Sequence, residues 1–127
     1  MKYSESLKKN VDFQKVYKNG TSHANRYLVM YVLKNEKKMN RLGISVSKKV
    51  GNSVVRHRIT RLIRESYRLN EQKFVGGLDI VVIARPGAKE RSFFEIESAL
   101  LHLGRLHSIL KEEEKKEVKK EHEEGID

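Results

Sequence analysis

The fold is decided by residues 41–84, which read RLGISVSKKVGNSVVRHRITRLIRESYRLNEQKFVGGLDIVVIA. Apolar residues alternate with small and polar ones over 41–47, which predicts a strand with one buried face. Residues 54–69 place their apolar side chains within one arc of a helix. Residues 78–84 form a nearly continuous apolar run, which is typical of a strand covered on both faces. Together these segments predict one β-α-β unit and therefore a sheet with helices packed on it.

The flanking segments extend this unit in both directions. Residues 10–18 predict a short helix, and residues 27–33, rich in aromatic and β-branched side chains, predict a strand. Ser92 and Glu95 form a capping box that begins a last helix, whose apolar stripe we trace as far as Leu110. The predicted order is helix, strands, helix, strand and helix, which is an α/β sandwich without an internal repeat.

Composition limits the classes of function. The chain has 127 residues, a formal net charge of +10 and no cysteine, which excludes a disulfide scaffold, a thiolate metal site and a cysteine nucleophile. The longest apolar runs, 27–33 and 80–84, are far shorter than the roughly 20 residues that span a bilayer. We expect a cytoplasmic protein with one basic domain over 1–110, whose partner is a polyanion and not a membrane. We expect the acidic tail 111–127 to be a helical extension or disordered.

The helix at 54–69 carries basic side chains opposite its apolar arc, and Glu65 is the acid within it. A solvated face usually mixes charges of both signs, so we expect these arginines to be unpaired and to bind phosphate. The basic loop before the helix directs lysines and the positive helix N-terminus to the same region. The candidate nucleic-acid-binding residues are Lys48, Lys49, Asn52, Arg56, His57, Arg58, Arg61, Arg64 and Arg68.

A second candidate surface is aromatic. Phe13 and Tyr17 lie four residues apart on the first helix, and Tyr31 lies in the middle of the strand at 27–33. We expect Tyr27 on the same face as Tyr31. Aromatic rings near basic groups are typical of sites for single-stranded RNA, although the same rings could belong to the core.

The sequence predicts no catalytic residue and no metal site on this chain. Acidic residues are few before residue 111, and no pair of them has metal-ligand spacing. The histidines form no His-x-x-x-His pair, and no phosphate-cradling glycine loop is present. Catalysis by the chain alone is therefore not expected, and no helix-turn-helix pattern points to DNA.

Residues 46–65 resemble the signature of the bacterial ribonuclease P protein subunit, in which Gly-Asn is followed by Arg-Asn-Arg, Lys-Arg and a further Arg at this spacing. The sequence departs from it at His57, where the family has Asn, and at Thr60, where it has Lys. The similarity continues in residues 10–26 and 80–86, and covers roughly residues 7–110.

The resemblance implies a protein subunit of a ribonucleoprotein endonuclease, a hydrolase that removes the 5′ leader of precursor tRNA. Its partners would be a catalytic RNA subunit and precursor tRNA, with Mg²⁺ bound mainly by the RNA subunit and the substrate. The arginine helix would contact the RNA subunit, and the leader would lie in a cleft with Phe13, Tyr17 and Tyr31. The alternative is a structural RNA-binding protein such as a ribosomal protein.

The resemblance also implies more about the fold than the residues alone. It implies the order α-β-β-β-α-β-α, a central mixed sheet and a left-handed β-α-β crossover, as in a domain of a small-subunit ribosomal protein. General rules of chain connection favour the right-handed crossover, so the left hand rests on the resemblance.

Overall fold

The computed structural model describes residue 1 and residues 3–111. The described chain forms five strands and three helices, and short 3₁₀ turns follow α2 and β5. In chain order the elements are β1 Ser4–Ser6, α1 Asn10–Asn19, β2 Thr21–Ala24, β3 Leu28–Lys34, β4 Asn40–Ser45, α2 Ser53–Asn70, β5 Leu78–Ala84 and α3 Phe93–Leu106.

The strands form one mixed sheet in the order β1-β4-β5-β3-β2. Strands β4 and β5 are parallel neighbours, with Gly43 opposite Val81, and α2 connects them. Strand β3 runs antiparallel to both β5 and β2. The predicted β-α-β unit, mixed sheet and α/β class are thus confirmed, and the hand of the crossover stays a prediction.

The predicted order lacked β1. This strand has only three residues, Ser-Glu-Ser, and pairs parallel to β4 at the edge of the sheet. It carries no apolar alternation, which is the pattern that predicts strands from a sequence. The sheet therefore contains one strand, at its edge, that the sequence did not indicate.

Helices α2 and α3 cover one face of the sheet, and α1 lies on the other. Fully buried Met30 and Ile80 of the sheet meet Ile63 of α2 and Leu100 of α3 in the larger core cluster. Because side chains alternate along a strand, Val81 points to the opposite face, where it packs with Val16 of α1. The predicted sandwich corresponds to the sheet together with α2 and α3. The short helix α1 packs alone on the opposite face.

The last helix ends at Leu106, and the prediction that its stripe continues to Leu110 was wrong. Ser108 has φ 58°, a left-handed conformation that the helix cannot continue through. The N–H of Ile109 donates to the carbonyl of Gly104, which closes a Schellman motif. Leu110 instead forms a β-bridge with Phe74. Apart from Lys111, the predicted tail lies outside the described residues.

Candidate nucleic-acid interface

The exposed side of α2 is strongly basic, as predicted. Asn52 is the N-cap of α2, and its Oδ1 accepts a hydrogen bond from the N–H of Val55 at 3.0 Å. On the inner side Ile59, Ile63 and Tyr67 are fully buried. The outer side presents a set of exposed basic side chains, namely His57, Arg58, Arg61, Arg64 and Arg68. We call this set the arginine face.

The expectation that the arginines are unpaired was wrong for three of them. Arg56 donates to the carbonyl of Gly51 at 3.2 Å, and Arg58 donates to the carbonyl of Arg91 at 2.9 Å. Arg68 forms a two-pronged pair with Glu65, one helical turn before it. Hydrogen bonding within that exposed pair lowers the pKa of Glu65 and raises the pKa of Arg68. Guanidinium groups reach many local acceptors, which a charge count does not reveal.

Arg61 and Arg64 differ from these three. Both are exposed, and among the described residues neither makes a hydrogen bond or an ion pair with the protein. They line a shallow concavity with Leu62 of the same helix. Their donors are therefore available to a ligand, and phosphate oxygens match that geometry.

The loop before α2 contributes two further cations. Lys48 and Lys49 are exposed, and they lie in the turn that leads to the helix N-terminus. Asn52 has a structural task there, because its side chain caps the helix. Thr60, which departs from the family signature, donates its hydroxyl to the carbonyl of Arg56 at 2.8 Å.

The predicted aromatic residues come together on the other face of the sheet. The ring centroids of Phe13 and Tyr17 are 6.3 Å apart, and those of Tyr17 and Tyr31 are 5.1 Å apart. All three rings are half-buried, so they both pack and remain accessible. Burial raises the pKa of Tyr17, against the effect of a hydrogen bond with Ser45. These rings and the sheet beneath them form what we call the cleft.

The floor of the cleft is shaped by a glycine and by a row of incompletely buried side chains. A Cβ at Gly43 would lie 2.6 Å from Cζ of Phe13, so the absence of a side chain lets the ring approach the sheet. The next row across the sheet is Ser45, Ile83, Val29 and Ala24, each half-buried or exposed. This row, which we call the end row, extends the cleft from β4 to β2.

The sequence did not predict the charged cluster in the cleft. Arg41 donates to Asp79 through Nε at 2.8 Å and Nη2 at 2.6 Å, and its Nη1 lies 3.5 Å from Asp12 of α1. Burial alone would raise the pKa of Asp79, but hydrogen bonds from Arg41 and Asn35 outweigh it and hold this pKa below its ordinary value. The signal in the sequence was an acid within the apolar run 78–84.

Tyr27 does not share a face with Tyr31, contrary to the prediction. It precedes β3, in a turn where the side-chain oxygen of Asn25 accepts from the N–H groups of Tyr27 and Leu28. This turn breaks the alternation, and Tyr27 packs against the core cluster on the α2–α3 side. The guanidinium carbon of Arg91 lies 5.2 Å from the centroid of its ring.

The fold and these two surfaces define a small α+β protein with a mixed sheet, a basic helix face and an aromatic cleft. The sequence model of the family described as Ribonuclease P matches residues 1–107. The chain therefore belongs to the ribonuclease P protein family, and it is the protein part of an RNA-processing enzyme.

Individual relatives agree with this assignment. The chain is 66% identical over 111 residues to the ribonuclease P protein component of Lachnoclostridium phytofermentans, covering 87% of this chain and 96% of the relative. It is 57% identical over 110 residues to that of Alkaliphilus metalliredigens, covering 87% and 99%.

Solved structures of the family share the fold. The RNase P protein of Staphylococcus aureus superimposes with a TM-score of 0.79 at 42% identity, covering 85% of this chain and 99% of the other. That of Thermotoga maritima gives 0.74 at 35% identity, covering 80% and 96%. The described residues contain no helix that is both long and apolar enough to cross a membrane.

Proposed function

We propose that this chain binds a catalytic RNA subunit through the arginine face and holds the single-stranded 5′ leader of precursor tRNA in the cleft. The complex would remove the leader by Mg²⁺-dependent hydrolysis and leave the mature 5′ end, in the cytoplasm. The chemistry belongs to the RNA subunit in this proposal. The chain's own contribution is to position both RNAs, and neither DNA nor a membrane is a partner.

The observation that carries the proposal is the separation of two complementary surfaces on one small domain. Unpaired guanidinium groups at Arg61 and Arg64 suit the closely spaced phosphates of a structured RNA. Half-buried rings at Tyr17 and Tyr31 suit the exposed bases of a single strand. The relatives are named protein components of ribonuclease P, which supports an enzyme that contains more than this chain.

The residues of the cleft do not fit a magnesium ion. Two carboxylates of the cleft, those of Asp12 and Asp79, both pair with Arg41, whose guanidinium supplies the compensating positive charge. Magnesium prefers free oxygen ligands in octahedral geometry. We therefore propose that Mg²⁺ is held by the RNA subunit and the substrate.

The family assignment decides against the alternative of a ribosomal protein, although charge and size suit both. The proposed activity is tested by reconstitution with the cognate RNA subunit at low Mg²⁺. The complex should cut precursor tRNA at the mature 5′ end, and the protein alone should leave the precursor intact. Cleavage by purified protein that a point mutation in this chain abolishes would overturn the proposal.

A further inference from the structure

A pocket near the beginning of α3 lies outside both the arginine face and the cleft. It opens between the β2–β3 turn and the outer side of α3, and its walls include Asn25, Arg26, Tyr27, Phe94, Ser98 and His102. The turn is held in place, because Nδ2 of Asn25 donates to the carbonyl of Ala99 at 2.9 Å. The pocket is thus built between two well-anchored elements.

Phe94 is the residue of this pocket that folding alone does not explain. Its side chain is 75% exposed, and its ring meets Phe93 edge-on with the centroids 5.5 Å apart. Across the pocket Tyr27 is half-buried, with the Arg91 guanidinium over its ring. An exposed ring beside a second aromatic wall offers a stacking surface for a planar ligand.

The charges of the surrounding segment favour a nucleic acid over a protein partner. Arg26 is exposed, and within the described residues its side chain has no hydrogen-bond or ion-pair partner. Glu95 is already engaged, because it completes the capping box of α3 and lies 3.4 Å from Arg91. The β2–β3 turn and residues 85–95 surround the pocket, and together they hold four cations and two acids. The cations are Arg26, Arg85, Lys89 and Arg91, and the acids are Glu90 and Glu95. A base stacked on Phe94 would leave its phosphate near the Arg26 side of the pocket.

The pocket lies just past the β2 end of the cleft, on the other side of the β2–β3 turn. Ala24 and Val29 pair across β2 and β3 and belong to the end row, and residues 25–27 join these strands and form one wall of the pocket. Three strand spacings, about 14 Å, separate β4 from β2, which is a span of a few nucleotides. An RNA strand that follows the end row towards β2 passes around the β2–β3 turn, from the α1 side of the sheet to the α3 side, to reach Phe94.

We propose that this pocket binds an unpaired nucleotide of the 5′ leader beyond the part held in the cleft, with its base stacked on Phe94. The inference rests on the proposed function, because it needs a leader in the cleft first. It adds a second contact that only longer leaders can reach. Affinity for the substrate therefore rises in two steps as the leader is lengthened.

The test measures the Kd of the reconstituted holoenzyme for precursor tRNAs whose leaders are lengthened one nucleotide at a time. Phe94→Ala should weaken binding of long leaders by at least roughly fivefold, the lower end of what one stacked base contributes, and leave short leaders unaffected. Phe94→Trp should retain the second step, and Phe94→Leu should lose it, because stacking needs a ring. Leu106→Ala is the matched control, since this residue is 44% exposed at the far end of α3.

The outcomes separate this inference from the proposed function. A Phe94→Ala protein with wild-type affinity at every length would overturn the pocket, and so would an equal loss at every length. Equal binding by the Leu and Trp variants would also overturn it, because the contact would not be stacking. A Tyr31→Ala protein that still gains affinity from the first nucleotides of the leader would instead overturn the cleft.

Discussion

The two faces of the sheet are covered to very different extents. On the α2–α3 side Leu28, Met30 and Ile80 are fully buried, beneath two helices of 18 and 14 residues. On the α1 side Tyr31 and Ile83 are only half-buried, beneath one helix of 10 residues. A helix of that length spans about 15 Å and cannot cover a five-stranded sheet.

This difference assigns most of the stability and the proposed binding of the leader in the cleft to opposite faces of the sheet. The doubly covered side excludes water from a continuous apolar cluster, which is the main source of folding free energy. The singly covered side leaves rings and the end row accessible, where stacking with bases is possible. Substitutions on the two sides should therefore produce different kinds of loss.

The largest effect is expected from truncation on the covered side. Ile63→Ala should lower the free energy of unfolding by about 2–5 kcal/mol, because a fully buried side chain leaves a cavity. Val54→Ala, on the same helix but 76% exposed, should change it by no more than about 0.5 kcal/mol. Urea denaturation of both variants measures the difference. Equal losses would show that α2 does not pack as described.

A smaller effect is expected where the cleft and the core meet. Gly43→Ala would place a Cβ 2.6 Å from Cζ of Phe13, so the ring must move away from the sheet. Overpacking of this kind costs about 1–3 kcal/mol. We expect reduced unfolding free energy together with weaker leader binding. The combination Gly43→Ala with Phe13→Leu should restore part of the stability, and no restoration would mean that the two side chains do not collide.

The arginine face should show a salt effect with little change in stability. Arg61→Ala and Arg64→Ala should each reduce the slope of log affinity for the RNA subunit against log salt by somewhat less than about one unit. Both residues are exposed, so the melting temperature should hardly change. Arg105→Ala on α3 removes the same charge elsewhere and serves as the control. Unchanged slopes in both α2 variants would place the contact on another surface.

The smallest effect concerns pH. Burial lowers the pKa of His107, opposed by a hydrogen bond with the carbonyl of Met30 and reinforced by nearby His23. The unfolded state therefore binds the proton more readily. The free energy of unfolding should therefore be highest above the ordinary histidine pKa, near 6.5. It should decline as the pH falls from there towards the lowered pKa of His107 in the folded state. His107→Gln keeps a donor without titrating, so its urea midpoint should vary less over this range, and an identical decline would contradict the assignment.

The sequence predicted the elements that a local pattern of residues marks, such as apolar periodicity or a capping box. The apolar arc of α2, the buried strand β5 and the capping box at Ser92 were all found, because each depends on local pattern. The sequence did not predict that the arginine face and the cleft lie on opposite sides of the sheet, since this depends on how distant strands align.

Two errors show where local pattern fails. Tyr27 was placed on the wrong face because the Asn25 turn, fixed by side-chain hydrogen bonds, shifts the start of β3. Leu110 was placed in α3 because its spacing continues the stripe, although Ser108 ends the helix in a left-handed conformation. The ion pairs of Arg41 were also missed, because Asp79 lies far away in sequence.

The division between the two sides is tested most directly by the affinity of the reconstituted holoenzyme for precursor tRNA and for mature tRNA. Tyr31→Ala should weaken binding of the leader-bearing precursor by about 1–3 kcal/mol and leave binding of mature tRNA unchanged. Tyr31→Phe, which keeps the ring, should bind both like the wild type. An equal loss for both tRNAs, or no loss for either, would contradict the assignment of the cleft to the leader.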